Sequence, residues 1–141
     1  MISAEELAAR VRGERVPLLT LDEFFAENPN EDSLAPLQWG AGRPPLDEIW
    51  LRLSEAEHSP DIAWVRVEPQ EASELDGASG IVRAESVVLA TTAPAAELER
   101  RLDTASLRSI GIAESDESAL EDLCEVPPLS GHERIVFLVW D

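Results

Sequence analysis

The segment Arg134 to Trp140 limits the fold more than any other stretch of this chain. Ile135-Val136-Phe137-Leu138-Val139-Trp140 is an almost unbroken apolar run. A run of that length, rich in β-branched and aromatic residues, reads as a strand buried on both faces, and therefore as a central strand of a sheet. It falls far short of the roughly 20 apolar residues needed by a membrane-spanning helix. Truncation of the last few residues is accordingly expected to break the core. The chain has 141 residues, 44% of them hydrophobic. That is enough for one continuous core, and one domain over residues 1–141 is expected.

Helix signals dominate the first half. Ser3 with Glu6, and Thr20 with Glu23, are capping-box pairs, in which a side-chain oxygen satisfies an otherwise unpaired N–H of the first turn. The first pair opens a helix over residues 2–12, with Leu7 and Val11 on one face and Gly13 as its stop. The second opens a helix whose apolar face is Leu21, Phe24 and Phe25, ended by Asn28-Pro29-Asn30. Glu31 to Pro45 reads as a loop around Trp39. Pro44 and Pro45 then suit a helix start, where a missing N–H costs nothing. Leu46, Ile49, Trp50 and Leu53 recur at helical spacing up to His58-Ser59-Pro60.

Strand signals follow. Asp61 to Glu68 alternates, with Ala63, Val65 and Val67 on one face against Ile62, Trp64 and Arg66 on the other. Glu85 to Thr92 is a second strand. Pro94 opens a helix that buries Ala95, Leu98 and Leu102, and Leu107 to Ala113 reads as a third strand. Glu85 to Ala113 thus forms a βαβ unit, for which a right-handed crossover is expected. Ser118 to Cys124 reads as one or two helical turns, halted by Pro127-Pro128. The expected fold is α/β or α+β: a three- to five-stranded mixed sheet with helices packed on it and the C-terminal strand central.

Charge narrows the partners. The net charge is −18, which repels nucleic acid and acidic membrane surfaces, since both recognise proteins through basic groups. A basic protein partner would be steered in by the same field. An acidic surface that only keeps the chain soluble is the plainer alternative, and the favoured one. The N-terminus lacks the basic-then-apolar pattern of a secretory signal, and Cys124 is the only cysteine. Both point to a cytoplasmic, reducing setting. All 11 basic residues are Arg and Tyr is absent, a bias that reads as GC-rich coding.

Catalytic patterns are lacking. Gly40 and Gly42 precede a helix, but there is neither a third glycine nor a Gly-Lys-Ser/Thr, so the phosphate-loop pattern is incomplete. No His-x-x-x-His pair, EF-hand spacing or Gly-x-Ser-x-Gly elbow is present. Cys124 reads as a small buried hydrophobe rather than as a nucleophile paired with His132. No cofactor and no metal are expected. Trp39 beside Arg43 in a Gly/Pro loop has the composition of a binding hot spot, although a Trp that folds back over the core is favoured. Two segments carry only acids. Glu68, Glu71, Glu74 and Asp76 make one; Glu114, Asp116, Glu117, Glu121, Asp122 and Glu125 make the other. Three readings compete for each: a hard-cation site, disfavoured because the EF-hand spacing is absent, a docking surface for a basic partner, and a plain solvated face, which is favoured.

Leu21-Asp22-Glu23-Phe24-Phe25, the Trp39-Gly40 loop, the Trp50 helix and the closing Val139-Trp140-Asp141 together resemble small uncharacterised acidic proteins of GC-rich bacteria. In size and acidity the chain is also similar to cytoplasmic immunity proteins of toxin–immunity pairs. No functional residue is carried over from that resemblance. The charge of −18, the two all-acidic segments and the lack of catalytic patterns point to a non-catalytic protein-binding role, most concretely an immunity-type inhibitor of a basic toxin, with Trp39, Arg43 and the six acids from Glu114 to Glu125 as candidate contact residues. Two alternatives stay open: a small-molecule binder or enzyme with a pocket near Trp39 and Arg43, and a regulatory or structural module of a larger assembly. The sequence leaves the oligomeric state open.

Overall fold

The helix starts follow from their caps. In the computed structural model, which describes residues 1–70 and 81–140, Ser3 Oγ accepts the Glu6 N–H at 3.1 Å and opens helix α1 (Ala4–Arg10). After strand β1 (Val16–Pro17), Thr20 and Glu23 make a reciprocal capping box with bonds of 2.9 and 3.1 Å, which opens α2 (Leu21–Phe25). A 3-10 turn at Glu31–Ser33 leads to α3 (Leu46–Glu57), whose N-cap is Pro45. Strands β2 (Ile62–Pro69) and β3 (Ala84–Thr91) come next. Pro94 caps α4 (Ala95–Leu102), which ends at Asp103 in the left-handed conformation. Strand β4 (Gly111–Ser115), a 3-10 turn at Glu117–Leu120, β5 (Leu123–Cys124) and β6 (Arg134–Val139) complete the order.

This is an α+β domain. The main sheet has the order β2-β3-β6-β4, with every neighbouring pair antiparallel. Parallel pairing is confined to β1 and β5, a separate two-stranded sheet in which Val16 faces Leu123 and Pro17 faces Cys124. The C-terminal strand β6 lies inside the main sheet between β3 and β4. Strands β3 and β4 flank it and run parallel to each other, so the unit joined by α4 is a βαβ split by β6. An apolar run with two buried faces is most stable with a strand on each side, and β6 has both.

The two faces of the sheet are covered differently. Val65, Val67, Val87, Leu89, Val136 and Leu138 pack against the helices, through Leu7, Phe24, Ile49, Leu53, Leu98 and Leu102. Trp64, Val88, Ala90 and Ile135 line the other face, under Val16, Leu18 and Leu123. That second cover is the small β1–β5 sheet and the chain around it. No helix among the described residues is long and apolar enough to cross a membrane.

Three local readings need correction. A bulge lies between Ile62 and Trp64, which pair with the adjacent residues Thr91 and Ala90. The extra residue, Ala63, is exposed, so Ile62 joins Val65 and Val67 on the helical face. The strand expected over Leu107 to Ala113 begins only at Gly111. Leu107 is fully buried in a turn, and positive φ angles at Arg108 (61°) and Gly111 (121°) bend the chain before pairing starts. Finally, the helical turns expected to run to Cys124 stop after the 3-10 turn at Leu120, and Leu123–Cys124 is extended instead. Pairing with β1 satisfies backbone groups there that another helical turn would leave exposed.

Candidate functional site

Trp39 and Arg43 exchange the places that their chemistry suggests. The loop leaves the sheet after Leu34 and Ala35, both fully buried, with Ala35 N–H bonded to Ala84 O at 3.0 Å. Arg43 is then only 3% exposed, whereas Trp39 is 42% exposed. The Trp39 ring lies over the Arg43 guanidinium, 4.6 Å from its centroid, a cation–π contact. Trp39 therefore covers a buried arginine and not the apolar core. Arg43 Nη2 donates to Glu31 O at 2.5 Å and lies 3.4 Å from Glu31 Oε1. The same carboxylate oxygen accepts the Leu46 N–H at 3.0 Å, at the start of α3. Glu31 thus ties the loop to the helix entry, a role with no local sequence signal, since its partners come 12 and 15 residues later.

The clamp is incomplete. Arg43 Nε and Nη1 are buried and have no hydrogen-bond partner among the described residues. Burial pushes the guanidinium below its ordinary value, opposed by the charges of Glu31 and Asp32. In the same loop Leu37 is 73% exposed, and beyond Arg108 Ile110 is 63% exposed. The glycine at 42 brings these segments together: a Cβ placed there would sit 3.3 Å from Arg108 Nε. Leu37 and Ile110 were not legible as surface residues, because nothing in the sequence distinguishes an apolar side chain facing out.

The acidic segment lies elsewhere. The Trp39 loop is rooted in the helical core through Leu34 and Ala35, whereas the segment from Glu114 to Glu125 is rooted in the second cluster through Leu120 and Leu123. All six acids are exposed. The fold supplies bases that the sequence does not place among them. Arg10 makes a two-pronged bond to Glu125, both at 2.9 Å, and also binds Glu23. The Glu125 carboxylate raises the Arg10 pKa further above its ordinary value. Arg134 pairs with Glu114 at 2.9 Å. Asp116 accepts from the Ser118 hydroxyl and N–H, which hold its carboxyl below the usual range. Glu117, Glu121 and Asp122 have no ion-pair partner among the described residues.

These unpaired acids border a groove. Glu117 and Glu121 stand beside Leu120, Val126, Pro127 and Leu129, of which Leu120, Val126 and Leu129 are half-buried against the second cluster. A neighbouring hollow is lined by Ser115, Asp116, Glu117, Ser118, Glu133 and Arg134. Asp122 also bears on Glu68. Burial raises the Glu68 carboxyl above its usual value and the Asp122 charge adds to this, while a bond from Ser86 opposes it. The rest of the first acidic segment, Glu71, Glu74 and Asp76, lies outside the described residues.

The remaining chemical groups are engaged locally. Cys124 is half-buried on β5, with Sγ 3.7 Å from Arg10 O and 3.6 Å from Arg15 O. His58 Nδ1 contacts Ser54 O at 2.6 Å at the end of α3. His132 is exposed in the turn before β6. Among the described residues no group of three or more His, Cys, Asp and Glu is placed to hold a metal ion.

No curated protein and no solved structure matches this chain. One family model does, across residues 2–138, and the chain belongs to that family, the Uncharacterized protein YfbO family.

Proposed function

We propose that this member of the family is a non-catalytic, cytoplasmic protein-binding module that takes a basic protein as its partner, in the manner of an immunity-type inhibitor of a basic toxin. One observation carries the reading. The groove beside the 3-10 turn has an apolar floor of Leu120, Val126 and Leu129, and its rim acids Glu117 and Glu121 are left unneutralised by the chain's own arginines. An apolar floor inside a charged rim is the ordinary anatomy of a transient protein interface. The net charge of −18 favours a basic occupant and speeds its arrival.

The test is kinetic. Affinity capture from host lysate at low and high salt supplies the basic partner, and the triple variant Glu117→Gln, Glu121→Gln, Asp122→Asn is then compared with the parent chain. Association is expected to slow by about tenfold at low salt, with a flatter dependence on ionic strength. An on-rate equal to that of the parent at every salt concentration would rule the reading out.

A second reading has its own observation. Arg43 Nε and Nη1 lie buried without partners beneath the half-exposed Trp39 ring, as expected of a small-molecule site whose acceptor oxygen completes the arginine. A ligand screen by thermal shift separates the readings, since a tight ligand raises the melting temperature by mass action.

A further inference from the structure

The two edges of the main sheet are finished differently. On β2, the outer edge is closed at Val65 and Val67. Leu19 and Val67 exchange N–H···O bonds of 2.9 and 2.8 Å, and Glu57 Oε2 accepts the Val65 N–H at 3.1 Å. On β4 the ladder with β6 pairs Gly111 with Val139, Ala113 with Phe137 and Ser115 with Ile135. Ile110 N–H already bonds Val139 O at 2.9 Å. The alternation of an antiparallel ladder then turns the main-chain groups of Ile112 and Glu114 away from β6. Glu99 Oε1 accepts the Ile112 N–H at 3.0 Å. The Glu114 N–H and the carbonyls of Ile112 and Glu114 have no bond to any other described residue along this edge.

We propose that β4 is a docking strand, onto which an extended basic segment of the partner adds as a fifth strand of the sheet. The side chains around the open edge define that segment. On the helical side it meets Glu114, exposed but already paired with Arg134 at 2.9 Å, and beyond the strand end it meets Asp116 and Glu117, exposed carboxylates with no ion-pair partner among the described residues. On the other side it meets Ala113 and Ser115, both small and exposed, with the half-buried Phe137 directly behind Ala113. The fitting sequence therefore alternates basic and apolar residues. Its basic side chains compete with Arg134 for Glu114 and reach Asp116 and Glu117 beyond it, and its apolar ones lie across Ala113 onto Phe137. Main-chain bonds hold the strand and the alternating side chains select it. The hollow lined by Ser115, Asp116 and Glu117 continues this edge toward the groove at Glu121, so one basic segment can engage both. This rests on the basic-partner reading and adds the mode of docking.

The probe is a short synthetic peptide alternating arginine and valine, set against one of equal composition with the alternation scrambled. Each is titrated into the full chain at low salt, and amide hydrogen exchange locates the contact. The alternating peptide is expected to bind more tightly and to protect the Glu114 amide. Glu114→Pro removes the outward N–H while leaving the ladder with β6 intact, since proline is tolerated on an edge strand. It is expected to weaken binding about tenfold, the effect of one hydrogen bond of ordinary net strength, relative to Glu114→Gln, which removes only the charge. Melting curves of both variants report whether the fold is kept. Should Glu114→Pro unfold the chain, the exchange protection in the parent and the scrambled control decide alone. Equal binding of the two peptides, no binding, or protection confined to residues 117–125 would overturn docking at β4. None of these bears on the basic-partner reading, which the on-rate of the groove variant decides separately.

Discussion

Each face of the sheet buries one tryptophan, and the two fare differently. Trp140, against the helices, is 2% exposed and donates its Nε1–H to Leu107 O at 2.9 Å. Trp64, on the opposite face, is 5% exposed, yet its Nε1 has no hydrogen-bond partner among the described residues. The helical layer surrounds its face with loops and helix ends, and one of these presents a carbonyl to Trp140. The second layer is two short strands and a few apolar side chains, and presents none to Trp64. The helical face thus satisfies its tryptophan, while the thinner face leaves the Trp64 donor unpaired and lies next to the unpaired acids Glu117, Glu121 and Asp122.

The largest test of this contrast compares two leucines. Leu138 is fully buried between β3, β4 and the helical layer, and Leu123 is 6% exposed on β5. Leu138→Ala is expected to cost about 3–5 kcal/mol, because helices packed on the sheet cannot collapse into the hole. Leu123→Ala is expected to cost about 2 kcal/mol, because a two-stranded cover can settle inward. Urea denaturation measures both, and equal losses would erase the distinction between the faces.

Next in size are the tryptophans themselves. Trp140→Phe removes the donor and leaves Leu107 O buried, at an expected cost of about 1–3 kcal/mol. Trp64→Phe removes a donor that had no partner, and is expected to change stability by less than about 1 kcal/mol. A loss at Trp64 as large as that at Trp140 would mean that its indole N–H is satisfied in solution.

The same contrast explains what was legible in the sequence. The helical face is legible in capping pairs, proline positions and helical spacing, all of them local signals. Strand β6 was legible because a continuous apolar run has few alternatives. The bulge at Ala63 was not, because strict alternation through Ile62, Ala63 and Trp64 looks the same with or without an inserted residue. Strand β5 is not legible because two residues carry no periodicity, and its pairing with β1 joins positions far apart in the chain. At the candidate sites the residue types were legible and their placement was not. Arg43 goes inside because Glu31, 12 residues earlier, offers a carbonyl and a carboxylate. The acidic segment acquires Arg10 and Arg134 only through the fold.

The smallest effect is expected at Glu68, on the acidic side of the comparison. Its carboxyl is raised, first by burial and then by Asp122. The folded chain therefore holds this proton more tightly than the unfolded chain does. Between the ordinary glutamate value and the raised folded value, stability falls as pH rises, because the carboxylate must ionise in place. Above the folded value the deficit stays constant, and below the ordinary value it disappears. Glu68→Gln keeps a group able to accept from Ser86 and cannot ionise. It is expected to stabilise the chain at neutral pH by under about 1 kcal/mol and to have no effect on this account at pH values below the ordinary glutamate range. Asp122→Asn is expected to recover only part of that gain, since burial is the larger cause. Melting curves of the parent and both variants across acidic to neutral pH provide the measurement. A Glu68→Gln gain that persisted unchanged into acid would assign the effect to packing and remove charge burial from the account of this face.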